Sequence, residues 1–279
     1  VRAPFVGSVA YAGPGDVVAA TSWWGLRAYT TAYATGSNPA IDICDSSGAN
    51  TLTINILASG NLDTAAVTAW SGAPGSHGTP YVKKIYDQVS GNVNYFNTDG
   101  AASNPVLSIT GGGGGGTQPK ITFTAASTHT LETVTTPVSG INLFTFSGVA
   151  TNILVSGQRT LIGTGTLNPA LAYNSADAIF MYMSGNLPSA TCTDGAIHSV
   201  QAVFNQSSSH LVIDGVHTAA DLASAANGST QALALGSSGN SSRFWSGDFY
   251  EIGFWTSDLY AASKTTGLYN NQKAYWGTP

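Results

Sequence analysis

The chain has 279 residues, of which 43% are hydrophobic and only 8% charged, against about 25% charged in an average globular domain; its net charge is −5. The length suits one large all-β unit or two small domains. Nine scattered Lys and Arg form no basic patch for nucleic acid, and no window reaches the roughly 18 consecutive apolar residues of a membrane-spanning helix.

The first dozen residues, "VRAPFVGSVAYA", carry one Arg but no apolar signal-peptide core, and they read as an extended arm and candidate attachment segment, residues 1–12. In "TSWWGLRAYTTAY", Ser22 is placed as the cap of a short helix. "TINIL" then alternates as a strand, and "GNLDTAAVTAWSG" puts Leu62, Ala66, Val67 and Trp70 on one helical face with Asn61 as N-cap. "YVKKIY" is again a strand. In the following "DQVSGN", Asp87 is expected to accept backbone N–H bonds in a turn rather than to do chemistry.

"TGGGGGGTQPKITF" has no Lys-Ser/Thr after its glycines, so residues 111–116 read as a flexible loop between two strands and not as a phosphate cradle. "KITFT", "NLFTFSG", "HSVQAVFN", "HLVIDG" and "DFYEIGFW" are strand-length alternating runs ending in turn residues. Asp214-Gly215 predicts a type I′ hairpin, whose two central residues need positive φ. "SDLYAASKTTGLYNN" predicts a last helix from Ser257 or Asp258, carrying Leu259, Ala262 and Leu268.

Sites are harder to place. Cys44 and Cys192 are too few for a disulfide framework and have no CxxC spacing; two isolated small side chains are favoured, with their pairing left open. His77, His129, His198, His210 and His217 show no ligand spacing and there is no GxSxG elbow, so no cofactor is expected; no DxDxDG loop appears, and calcium is left open only through the Asp and backbone carbonyls of a jelly roll. Trp245, in the polar loop "SGNSSRFWSG" with Arg243 beside it, is a candidate sugar-stacking plate, with capping of the sandwich edge as the plainer reading, and Tyr182 is a weaker candidate of the same kind.

Two blocks carry a resemblance. "GPGDVV", "GLRAYTTAYATGSNPAIDI", "GNLDTAAVTAW" and "KKIYDQVSGNVNYF" resemble the front of the arabinofuranosidase B catalytic domain, glycoside hydrolase family 54. "HSVQAVFNQSSSHLVIDG" and "WSGDFYEIGFWTSDLYAASKTTGLYNN" resemble the closing strands of a concanavalin A- or laminin-G-like jelly roll. The resemblance spans about Gly13 to Asn271. It implies an all-β fold: a two-sheet antiparallel jelly-roll sandwich over residues 13–279 with a few short edge helices, in agreement with the alternating runs.

The resemblance also locates what the chain lacks. The family's acid aspartate falls at Ser238 or Gly239, its nucleophile segment has no counterpart, its Gly-Pro-Cys cysteine is replaced by Gly15, and Glu251 occupies the place of a strand glutamate that is not catalytic. A glycosidase needs two carboxyl groups across the scissile bond, so the expectation is a non-enzymatic protein. The combined pattern resembles phage and prophage virion components, which implies a capsid or tail decoration at the virion surface, with other virion proteins as partners and glycans as candidate ligands. The alternatives are a secreted glycoside hydrolase resembling an α-L-arabinofuranosidase, with a relocated pair such as Asp248 and Asp177, and a secreted bacterial lectin or adhesin.

Overall fold

The computed structural model describes residues 11–72, 77–97, 101–135, 137, 141–153, 157–164, 169–174, 178–182, 186–218, 232–239 and 243–279. Nearly all of the anticipated runs are strands, and every pairing among them is antiparallel. The strand Gly247–Trp255 sits at the centre of one ladder. Along one edge it pairs with Phe144–Asn152, which pairs in turn with Ile197–Phe204 and then the hairpin His210–Ile213/Val216–Thr218. Along its other edge, Gly247 to Phe249 meet the strand Gln118–Phe123, while the segment from Glu251 onward meets Ser22–Gly25.

A second ladder runs Thr51–Ile56, Asn38–Cys44, Tyr81–Ile85, Tyr95–Phe96, Leu131–Thr133, Leu233–Leu235, Arg159–Thr164, Ala170–Tyr173, Ala178–Tyr182 and Asn186–Thr191. The two ladders join at Tyr81↔Val106, where Val106–Gly112 brings in the strand Gln118–Phe123. Their buried side chains form one cluster, with Trp24 against Tyr95 and Phe123 against Trp245. The antiparallel sandwich expected from the sequence is therefore the fold.

The predicted helices fare unevenly. Thr64–Gly72 is helical, but Asp63, not Asn61, accepts the Ala66 N–H at its start. Ser22–Gly25 is a strand and not a helix; Trp23 and Trp24 are both wholly buried, on opposite faces. The last helix begins at Thr265, because Ser263 takes φ +55° and Asp258 accepts the Ala261 N–H in a separate turn. It extends to Trp276 and lies on the outer face of the first ladder, where Gln272 accepts from the Ser199 hydroxyl and Gln201 donates to the Thr265 carbonyl. Strands buried on both faces lose the polar alternation of an exposed sheet, as the uninterrupted burial of Phe144–Asn152 and Gly247–Trp255 records.

A register shift between Phe249 and Glu251 lets two successive residues face this helix. The Tyr250 ring lies 5.1 Å from that of Trp276, and Glu251 forms a bidentate pair with Arg27, whose guanidinium lies 4.6 Å from the Tyr275 ring centroid. The Gly-rich segment is the turn between Val106–Gly112 and Gln118–Phe123. It is held against the helix end: Gly114 N–H donates to the Trp276 carbonyl at 2.6 Å, and a Cβ at Gly114 would stand 2.3 Å from the Gly277 oxygen. Of the arm, residues 1–10 lie outside the described residues, while the Tyr11 hydroxyl donates to the Ala28 carbonyl.

Candidate functional site

Asp87 is 2% exposed and does the work of a turn. Its Oδ1 accepts N–H bonds from Val89 and from Trp23, each at 3.1 Å, and its Oδ2 accepts from the Ser90 hydroxyl at 2.5 Å. The Trp23 bond reaches 64 residues back, so the turn is also tied to the first strand. Asp214 and Gly215 take φ +49° and +77° between the paired strands, as the hairpin requires. Asp214 in addition accepts from the Ser199 N–H at 2.9 Å and approaches His198 Nδ1 to 2.6 Å.

The stacking candidates are corrected by the structure. Trp245 is wholly buried between Phe123 and Tyr173, and its indole N–H donates to Asn152 at 3.2 Å. It presents no face to a ligand, because the loop that carries it is polar while the ring reaches into the core. Arg243 is turned to Gln158. Tyr182, half-buried, pairs with Ala170 on one side of the strand Ala170–Tyr173, whereas Arg243 bonds the chain at Thr160, the partner of Ala172 on its other side. The three residues are not brought together. Ser238, at the place of the family acid, is wholly buried, and the neighbouring Ser237 hydroxyl is bonded to Thr130. Cys44 and Cys192 are both free and buried.

What the fold does assemble is a polar cavity of about 460 Å³ at the end of the last helix. Its walls are the Gly-rich turn, the Gly195–Ile197 segment, Gly277 and Pro279, and its floor is Lys120, Thr151, Asp248 and Tyr250. The strand pairing Asp248↔Thr122 sets the chemistry: the Asp248 carboxylate accepts from Lys120 Nζ at 2.9 Å and from the Thr122 hydroxyl at 2.7 Å. The side chains of Lys120 and Asp248 are 23% and 9% exposed, so the pair is shielded but open to the cavity. Burial, reinforced by the Asp248 charge and only partly opposed by the Thr151 hydrogen bond and the Lys120 charge, raises the Tyr250 phenol above its ordinary value and keeps it neutral.

A carboxylate with unused lone pairs beside an ammonium with unused protons suits neighbouring hydroxyls, each donating to one and accepting from the other. The cavity is within the size range of small-ligand sites. Asp248 is the only carboxylate of its lining among the described residues. Asp177, its anticipated partner, lies outside them. Glu251, at the place of the strand glutamate in the pattern the sequence resembles, is paired through both oxygens with Arg27. No group of three or more His, Cys, Asp or Glu able to hold a metal occurs among the described residues. Sequence reasoning missed the Lys120–Asp248 meeting because 128 residues separate the two; only the strand register reveals it.

No family model and no curated protein sequence matches the chain. Solved structures do. A mutant of a glycoside hydrolase 54 α-L-arabinofuranosidase soaked with 4-nitrophenyl α-L-arabinofuranoside matches with a TM-score of 0.69 at 16% identity, covering 93% of this chain and 64% of that one. An arabinofuranosidase complexed with arabinofuranosyl-α-1,2-xylobiose matches at 0.66 with the same identity and coverage. The binding domain of Paraclostridial Mosquitocidal Protein 1 matches at 0.50 and 14% identity, over 70% of this chain and 52% of that one. The shared feature is the fold. The chain spans about 64% of the length of the arabinofuranosidases it matches. The expectation of a virion-surface protein is thereby corrected: the solved structures that share this architecture, over 93% of the chain, are arabinofuranosidases, a likeness of fold at 16% identity.

Proposed function

We propose that the chain is a carbohydrate-active domain of the arabinofuranosidase kind, and that the Asp248–Lys120 cavity takes a terminal arabinofuranosyl group of an extracellular polysaccharide. The observation that carries this reading is a shielded carboxylate–ammonium pair set in a sugar-sized cavity on a glycoside hydrolase 54 fold. A furanosyl ring offers vicinal hydroxyls to that pair, and the Thr122 and Thr151 hydroxyls and the Tyr250 phenol add the further donors and acceptors that orient a ring. Whether the glycosidic bond is then cut depends on a second carboxyl group reaching the same sugar, since one must protonate the leaving oxygen while the other attacks or activates water. Asp177 is the candidate for that second group.

The test is a glycan array carrying arabinofuranosides and other polysaccharides, with every spot analysed by mass spectrometry for released sugar. Arabinofuranosides are expected to retain the chain, and Asp248→Asn and Lys120→Met to abolish retention with the fold intact by circular dichroism. Release of arabinose that stops in Asp177→Asn would assign turnover to this pair. Equal retention by the Asp248→Asn variant, or no retention of any arabinofuranoside, would overturn the assignment.

A further inference from the structure

The hairpin His210–Ile213/Val216–Thr218 brings together two histidines that sequence spacing alone does not associate. His217 is the register partner of Val212, so His210 and His217 fall on the same face, diagonally across the ladder. His210 Nδ1 and His217 Nε2 are 3.0 Å apart, with ring centroids at 5.0 Å. The Tyr260 ring stacks on both, at 4.1 Å from His210 and 4.6 Å from His217. Both imidazoles are half-buried and retain an edge toward solvent.

The spacing is held by more than the two rings. The type I′ turn at Asp214-Gly215 fixes the strand pair, Asp214 is clamped by the Ser199 N–H and by His198, and Gly215 abuts the Tyr269 ring. The imidazoles are thus positioned before any ligand arrives, and ordering them costs little.

We propose that His210 and His217 form a binding site for a tetragonal divalent transition-metal ion, Cu²⁺ or Ni²⁺. Two nitrogens each about 2.05 Å from one ion and 3.0 Å apart subtend roughly 95° at it. That is the cis angle of a square-planar or octahedral ion, whereas tetrahedral Zn²⁺ would set the nitrogens about 3.4 Å apart. One imidazole donates to the other across the 3.0 Å contact; on metal binding the donor ring changes tautomer, its proton moving to its other nitrogen. Both ligating nitrogens then present a lone pair, and neither ring changes charge. Water completes the coordination, which makes the ion exchangeable.

Isothermal titration of the full chain with Cu²⁺, Ni²⁺, Zn²⁺ and Mg²⁺, in a weakly coordinating buffer at neutral pH, tests the site, with electron paramagnetic resonance of the Cu²⁺ form. One Cu²⁺ per chain is expected, bound more tightly than Zn²⁺, with nitrogen hyperfine structure from two imidazoles and no heat from Mg²⁺. His210→Gln and His217→Gln should each weaken Cu²⁺ at least tenfold. His77→Gln, which alters an imidazole packed on Trp70, should leave affinity unchanged. Absence of Cu²⁺ binding, equal affinity in His217→Gln, or Zn²⁺ binding as tight as Cu²⁺ would overturn the proposal.

Discussion

Replacing Glu251 by Leu removes the acid that pairs with Arg27. The two side chains are 1% and 0% exposed and meet through Nε–Oε2 at 2.5 Å and a second nitrogen–Oε1 contact at 2.8 Å. Burial works against the charge on Arg27, but the Glu251 charge and hydrogen bonds outweigh it and raise the guanidinium above its ordinary value. Without Glu251 that cation remains buried beneath Tyr275 with no counter-charge. Breaking such a pair from one side costs about 3–5 kcal/mol. At roughly 2–4 °C per kcal/mol for a chain of this size, the melting temperature should fall by about 6–20 °C. Replacing both partners with apolar residues, Arg27→Met with Glu251→Leu, leaves no orphaned charge and should recover most of the loss. Urea unfolding of the four proteins of the cycle measures this, with the m-value as a check that cooperativity is kept. A single variant within about 1 kcal/mol of the parent, or a double variant that loses the sum of the singles, would refute the reasoning.

His198 gives a stability that depends on pH. Burial opposes its protonation, but the hydrogen bond and charge of Asp214 prevail and raise its pKa above the ordinary 6.5. The folded state then holds a proton that the unfolded chain releases at lower pH. This contribution is complete below the unfolded value near 6.5 and is lost as pH rises through the higher folded value. Denaturation midpoints measured between pH 6 and 9 should decline in this window, and His198→Gln should flatten that decline; an unchanged slope would dismiss the linkage. Gly114→Ala would place a Cβ 2.3 Å from the Gly277 oxygen, so it should destabilise by about 1–3 kcal/mol and increase hydrogen exchange at the helix end, whereas Gly115→Ala, with only Thr117 at 3.9 Å, should do neither.

The strands were readable because alternation and turn residues coincide, as in "HLVIDGVHT", where a single Asp-Gly pair specifies both hairpin and register. The errors arise where a strand is covered on both sides. Trp23 packs with Tyr29 and Trp255 while Trp24 enters the main core, so "SWWG" has no polar phase to mark it as extended. Trp245 misleads for the opposite reason: its neighbours in sequence are polar, but its neighbours in space are Phe123 and Tyr173. The cavity was hidden because its charged pair depends on a non-local register, Asp248 opposite Thr122, which no local pattern encodes. The histidine pair was closer to legible, since a two-residue turn with His four residues before and two after it puts both on one face. The Asp87 bond to the Val89 N–H is of the local kind that Asp before Ser-Gly encodes, whereas its bond to Trp23 lies beyond the reach of local reasoning.

The two cysteines add a property of their own. Each is an isolated thiol sealed in the interior, and burial pushes the Cys192 thiol up to about 12 and raises Cys44 as well. At neutral pH the thiolate, the form that oxidants and disulfides attack, is therefore almost absent from the native molecule. The ambient redox potential therefore does not act on the native molecule: oxidising or reducing surroundings should leave the folded state the same, and the thiols meet oxidants when the chain unfolds.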